Sequence, residues 1–140
     1  RYSNVFGPRQ IPKGEAGVVC IFTESMLKNN EIKIYGDGEQ TRDFIYVGDV
    51  VMANLKALMK GSGEKINIST NTPTTINSLF KVLSEKIGYS SLPTYKAERA
   101  GDIKDSLLSN EKAKRILDWE PKYDLYKGVG ETVDWYKTII

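Results

Sequence analysis

The chain has 140 residues, 40% of them apolar and 27% charged, a composition that suits one soluble domain with its own core. A net charge of +2 on scattered lysines, with no basic run and no interleaved aromatics, excludes an electrostatic case for nucleic acid. With no histidine, histidine-based metal centres and general bases are excluded, and no apolar stretch approaches the length of a membrane span. No metal site is expected. The single cysteine, Cys20, lies in the apolar run Val18-Val19-Cys20-Ile21-Phe22 and reads as a buried thiol. No signal peptide is visible, which fits a cytoplasmic protein.

Tyr2 to Phe6 read as a strand closed by Gly7-Pro8, and a chain that opens inside a strand reads as a piece of a longer one. Residues 9–17 read as a polar loop with Pro12 and Gly14. Val18, Phe22 and Met26 recur at helical spacing, which predicts a helix over 18–29 stopped by Asn29-Asn30. Lys33 to Tyr35 is a short strand. Asp37-Gly38 is a tight-turn dipeptide, since both residues tolerate positive φ, and Thr41 to Val47 follows as a second strand. Asp49 is placed to cap the next helix, whose expected inner face is Val51, Leu55, Leu58 and Met59, with Gly61-Ser62-Gly63 as its stop. Lys65 to Ser69 alternates as a strand does. Thr75 caps a helix with Ile76, Leu79, Phe80, Leu83 and Ile87 on one face and Gly88 at its end. Leu92 to Ala97 is extended, and 98–108 is polar and irregular around Gly101. Ser109 caps a short helix holding Ala113, Ile116 and Leu117, which Trp119-Glu120-Pro121 breaks. Asp124 caps a last helix with Leu125, Val129, Val133 and Tyr136 in register. Gly128 and Gly130 weaken it by about 1 kcal/mol each relative to alanine, so packing must hold it. The pattern is mixed α/β with short strands and about five helices.

Polar groups beside apolar anchors mark where chemistry could lie: Asn4, Arg42, and Glu98-Arg99-Ala100-Gly101-Asp102. A guanidinium grips two phosphate oxygens at once, so Arg42 and Arg99 could converge on one diphosphate, with Tyr35 against a flat base. The plain alternative is that these are solvated surface groups, with Arg42 neutralised by its neighbour Asp43. Spacing alone leaves both open. It supplies no nucleophile, general base or Gly-x-Gly-x-x-Gly loop, and Gly36-Asp37-Gly38 does not qualify because no helix follows it.

Several motifs together carry a resemblance. They are Arg1-Tyr2-Ser3-Asn4-Val5-Phe6-Gly7-Pro8-Arg9-Gln10, Tyr35-Gly36-Asp37-Gly38-Glu39-Gln40-Thr41-Arg42-Asp43-Phe44-Ile45-Tyr46-Val47-Gly48-Asp49-Val50, Arg99-Ala100-Gly101-Asp102, Trp119-Glu120-Pro121 and Glu131-Thr132-Val133-Asp134-Trp135-Tyr136. In this order they resemble the C-terminal half of the NAD-dependent nucleotide-sugar epimerase/dehydratases, the extended short-chain dehydrogenase/reductases, over essentially the whole chain. Within that family the nearest likeness is to the UDP-glucose 4-epimerases.

The resemblance implies a nucleotide-sugar-binding lobe plus leftover strands of a Rossmann sheet at 1–10 and 65–70. NAD would be bound mainly by a missing N-terminal domain. That domain would also carry the catalytic Tyr-x-x-x-Lys, so no catalytic residue is expected here; no Tyr is followed four residues on by a Lys in a suitable place. By position, Asn4 matches a residue that contacts the sugar diphosphate, Arg42 and Arg99 the diphosphate arginines, and Asp102 a group near the ribose. Val18, Lys33 and Tyr35 match segments that enclose the base, and Ser3 falls where the main chain nears the nicotinamide end of NAD. Cys20 stands where the family often has Pro, and Ser3 where it often has Phe or another residue. The implied activity is isomerisation at the sugar C4 of a UDP-sugar, in the parent protein only. Alternatives are a 4,6-dehydratase, a UDP-glucuronate decarboxylase, or a non-catalytic nucleotide-sugar-binding relative. The parent is expected to be a homodimer. The chain alone is expected to self-associate, because Tyr2–Phe6 would be an unpaired strand.

Overall fold

The computed structural model describes residues 1–12 and 17–140; of the expected loop at 9–17, Gly14 lies outside the described residues. The elements in chain order are β1 (Asn4–Phe6), α1 (Val18–Leu27), β2 (Lys33–Tyr35), β3 (Thr41–Arg42), β4 (Phe44–Tyr46), α2 (Val47–Ala57), β5 (Thr74–Thr75), α3 (Ile76–Ile87), β6 (Thr94–Lys96), α4 (Glu111–Leu117) and α5 (Leu125–Tyr136). This is the expected mixed α/β architecture. Its strands form three separate pairs: β1 and β4 parallel, β2 and β6 parallel, and β3 and β5 antiparallel.

Local signals hold at several ends. The Thr75 hydroxyl accepts the Ser78 amide at 3.0 Å and starts α3, and Gly88 ends it in the left-handed conformation at φ 82°. The Asp124 carboxylate accepts the Lys127 amide at 2.8 Å and starts α5. In the Gly36-Asp37-Gly38 turn both glycines sit at φ 78°. A Cβ on Gly38 would also lie 2.1 Å from Asn77 Oδ1, because the turn is docked on the first turn of α3.

The core has two parts. In the larger one α1, α3 and α5 pack with Phe6, Ile34, Phe44 and Tyr46. α5 comes so close that a Cβ on Gly128 would stand 2.8 Å from the Phe6 ring and 3.2 Å from Tyr46. This glycine therefore serves a close approach, and packing holds the helix as expected. Cys20 is buried here and donates to the Gly17 carbonyl; burial raises its thiol pKa. Burial likewise pushes the Tyr136 phenol up to about 12, and its hydroxyl donates to the Gln10 carbonyl. The smaller part joins Ile45, Val50, Ala53 and Ile68 to Ala113, Leu117 and Trp119.

The structure corrects several expectations. The strand over 41–47 breaks at Asp43, because its two halves pair with different partners: β3 with β5 and β4 with β1. α2 begins at Val47 with Tyr46 as its cap position, so Asp49 lies inside the first turn. Its buried carboxylate accepts the Lys122 and Tyr123 amides at 2.9 and 3.0 Å, tertiary partners that displace the expected local cap. The inner face of α2 is Asp49, Val50 and Ala53, while Val51, Leu55, Leu58 and Met59 are exposed. α4 is capped by position at Asn110, with Ser109 one step earlier. The expected strand at 65–69 reduces to a parallel bridge between Ile68 and Tyr2. Finally, the opening strand is paired within its own chain, by β4 and by that bridge, so it is not the open edge from which self-association was argued.

Candidate functional site

Short-range geometry builds one wall of a cleft. β2 presents Lys33 and Tyr35, and the glycine turn reverses the chain into β3. Gln40 Nε2 donates to the Tyr35 carbonyl at 2.8 Å and closes that turn. Successive strand residues point to opposite faces. Arg42 accordingly lines the cleft, whereas the buried Asp43 carboxylate is taken up by Ser3, Thr70 and Asn71. The two do not form an ion pair, so the reading of Arg42 as a group neutralised by Asp43 is removed.

The irregular 98–108 segment is stitched across from this wall. The Thr41 amide donates to the Lys104 carbonyl at 2.8 Å, and the Thr41 hydroxyl donates to Asp105 Oδ1 at 2.7 Å. This brings Arg99 and Asp102 to the cleft. Arg42 Nη1 donates to the Thr41 carbonyl at 2.7 Å, and its Nη2 lies 3.3 Å from Asp102 Oδ1. The Arg42 side chain is only 17% exposed, so its position is well defined. Arg99 is exposed and stacks on Tyr35, with its guanidinium carbon 3.7 Å from the ring centre. That guanidinium lowers the Tyr35 phenol pKa, as a hydrogen-bond donor first and as a charge second.

Asn4, Val18, Lys33, Tyr35, Arg42, Arg99 and Asp102 all line one cavity of about 280 Å³. Ser3 does not. It faces a neighbouring space of about 250 Å³ that shares Asn4 and Val18, and its hydroxyl donates to Asp43 at 3.1 Å. Reading the sequence missed Ile21, Phe22, Ile34, Gln40 and Ile76, which complete the cavity wall. Apart from Gln40, two residues before Arg42, these look like ordinary core positions and carry no signal of their own. The ring face of Tyr35, expected to receive a base, is occupied here by Arg99. The cavity offers three cations, a carboxylate, two amides and an apolar wall, the groups that suit a ligand with a flat ring, hydroxyls and a doubly charged anion. Among the described residues there is no cluster of metal-ligand side chains.

Comparison with known proteins identifies the family. Residues 1–69 match the NAD dependent epimerase/dehydratase family. The crystal structure of UDP-glucose 4-epimerase with UDP-glucose from Thermotoga maritima is 53% identical and superposes with a TM-score of 0.97, over 99% of this chain and 45% of that one. The chain belongs to the NAD dependent epimerase/dehydratase family. UDP-glucose 4-epimerase of Mycolicibacterium smegmatis is 39% identical, over 96% of this chain and 44% of that protein. A more distant member, dTDP-D-glucose 4,6-dehydratase of Bos taurus, is 35% identical over 98% of this chain and 40% of its own length. The chain thus spans less than half the length of the relatives it matches.

One pair has the family's Tyr-x-x-x-Lys spacing, Tyr123 and Lys127. Lys127 Nζ lies 4.0 Å from the centre of the Tyr123 ring, which is itself stacked on Tyr46. Tyr123 faces a pocket that shares no residue with the cavity, so the pair is not part of this site.

Proposed function

We propose that this chain is the nucleotide-sugar-binding lobe of a UDP-sugar 4-epimerase. The observation that carries the reading is the meeting of Asn4, Arg42, Arg99 and Asp102, drawn from both ends of the chain, around one cavity. In this reading Arg42 and Arg99 grip the diphosphate, each through charge-assisted hydrogen bonds. Asn4 reaches the same diphosphate from β1. Val18, Lys33 and Tyr35 enclose the base, and Asp102 takes ribose hydroxyls. For the last two contacts Arg99 leaves the Tyr35 face and Asp102 leaves Arg42, exchanging protein partners for ligand ones. Binding energy from the nucleotide then holds the sugar in place for reaction.

The described residues do not themselves form a dinucleotide cradle. The chain has no Gly-x-Gly-x-x-Gly loop, and Ser3, whose hydroxyl is taken by Asp43, would meet NAD through its main chain. NAD, held mainly by the other half of a protein of the relatives' length, would supply the oxidation and return of hydride at the sugar C4. The 140-residue chain by itself is accordingly expected to bind but not to turn over UDP-glucose.

Titration of UDP and UDP-glucose into the chain by calorimetry tests this. Saturable binding of both, abolished in an Arg42→Ala/Arg99→Ala double variant, is expected. Absence of UDP binding would sink the reading. Preference for dTDP over UDP in the same titration would move it to the dehydratase branch, which the relative from Bos taurus keeps in view.

A further inference from the structure

Asp43 is a buried carboxylate, 1% exposed, with no lysine or arginine paired to it among the described residues. An ionised group in that setting costs several kcal/mol unless donors compensate it. Here four do. Its Oδ1 accepts the Ser3 hydroxyl at 3.1 Å, the Thr70 amide at 2.9 Å and the Thr70 hydroxyl at 2.8 Å, and Oδ2 accepts the Asn71 amide at 3.1 Å. A fifth bond uses the main chain: the Asp43 carbonyl accepts the Asn4 amide at 2.8 Å. Every side-chain partner is a donor, so the position demands an acceptor-only group. Asparagine of the same shape would turn an NH₂ toward N–H or O–H donors.

The placement matters more than the number of bonds. Asp43 grips Ser3 and Asn4 at the tip of β1, and it follows Arg42 in the chain. Asn4 and Arg42 line the cavity; Asp43 does not. It also marks the point where β3 and β4 part to different partners, so the backbone there has no continuous ladder to hold it. We infer that Asp43 is a positioning residue for the nucleotide site, fixing Asn4 and Arg42 relative to one another while touching no ligand itself. This rests on the reading of the cavity as a UDP-sugar site.

Asp49 provides the control. It is the other buried aspartate, 2% exposed, and accepts the Lys122 and Tyr123 amides, but neither it nor those partners line the cavity. The experiment is UDP titration by calorimetry on the wild-type chain, Asp43→Asn and Asp49→Asn, each kept under conditions where urea melts show it folded. Both variants should lose stability. Asp43→Asn should bind UDP about tenfold more weakly, the equivalent of one lost charge-assisted hydrogen bond, and Asp49→Asn should bind as wild type does. In an Asn4→Ala background the Asp43→Asn penalty should shrink to about threefold, since part of the effect runs through Asn4. If Asp43→Asn does not fold, Ser3→Ala carries the test, because it removes one donor and leaves the others; about threefold weaker binding is expected. Wild-type binding with unchanged affinity in Asp43→Asn, or in Ser3→Ala where that variant stands in, overturns the inference. Absence of UDP binding by the wild-type chain overturns the reading of the cavity instead.

Discussion

The two halves of the core treat their helices in opposite ways. On one side α1, α3 and α5 bury broad faces against each other, and α5 runs so close to Phe6 and Tyr46 that only glycine fits at position 128. That cluster reaches the cavity directly, through Phe22, Ile34 and Ile76. On the other side α2 presses only Asp49, Val50 and Ala53 inward and turns Val51, Met52 and Leu55 to solvent. None of the residues of α2 lines the cavity. The site therefore stands on the densely packed side, which shares Phe22, Ile34 and Ile76 with the cleft wall.

The largest effect expected is at Leu83, fully buried on α3 between α1 and α5. Leu83→Ala should cost about 2–5 kcal/mol in urea unfolding, a lost transfer term plus a cavity that close-packed neighbours cannot refill. A cost below about 1 kcal/mol would show that this side is looser than its packing indicates. Next comes Arg42, where the effect should fall on binding rather than folding. Arg42→Ala should weaken UDP binding by about 1.5–3 kcal/mol, and lysine should restore only part, because an ammonium lacks the two-pronged fork. Arg99→Ala should lie at the low end of that range, since its exposed side chain must first leave Tyr35 and be ordered by the ligand.

Two glycines on one helix sharpen the comparison further. Alanine at either position gains about 1 kcal/mol of helix propensity. At Gly128 the new methyl would meet the Phe6 ring at 2.8 Å, and overpacking of about 1–3 kcal/mol should outweigh the gain. At Gly130 its nearest neighbour is the end of the Lys86 side chain at 3.5 Å, an ordinary contact, so Gly130→Ala should stabilise by about 1 kcal/mol. Urea midpoints that move the same way in both variants would refute the close approach of α5 to the aromatic rings.

What was legible in the sequence follows the range of the interaction. Thr75, Asp124 and Gly88 act on amides or carbonyls within a few residues, and each does what its residue type suggests. Lys33–Tyr35 is a strand with the expected bounds, set off by the glycine turn. Asp49 reads just as plausibly as a cap, but its partners are more than 70 residues away, and nothing local announces them. The face of α2 fails for a related reason. The spacing of Val51, Leu55 and Leu58 shows that a face could be buried, and only the tertiary fold decides which face meets a neighbour. The site divides in the same way. Spacing offered Arg42 and Arg99 without deciding between a shared anion and solvent, and the resemblance to the family placed Asn4, Lys33 and Asp102 with them. The Arg99–Tyr35 stack and the inward turn of Asp43 depend on side-chain directions that no motif records.

The smallest effect is expected on the outward side of α2. Leu58, at its C-terminal cap, is 79% exposed, and Met59 just beyond it is 87% exposed. Replacing an exposed residue removes almost no buried area, so the Leu58→Ser/Met59→Ser pair should change unfolding free energy by no more than about 0.5 kcal/mol. The pair should also leave UDP affinity untouched, because this surface does not line the cavity. The measurement is a urea melt repeated over a hundredfold range of protein concentration, since any partner bound only by the folded chain stabilises it by mass action. A loss of more than about 1 kcal/mol in the variant, with a wild-type stability that rises with concentration and a variant stability that does not, would mean that a second copy covers this face in solution. The comparison would then change, with α2 as tightly buried as α5 but against another molecule. Equal, concentration-independent melts would leave α2 as the one-sided helix described here, and would remove this face as a motive for self-association of the chain.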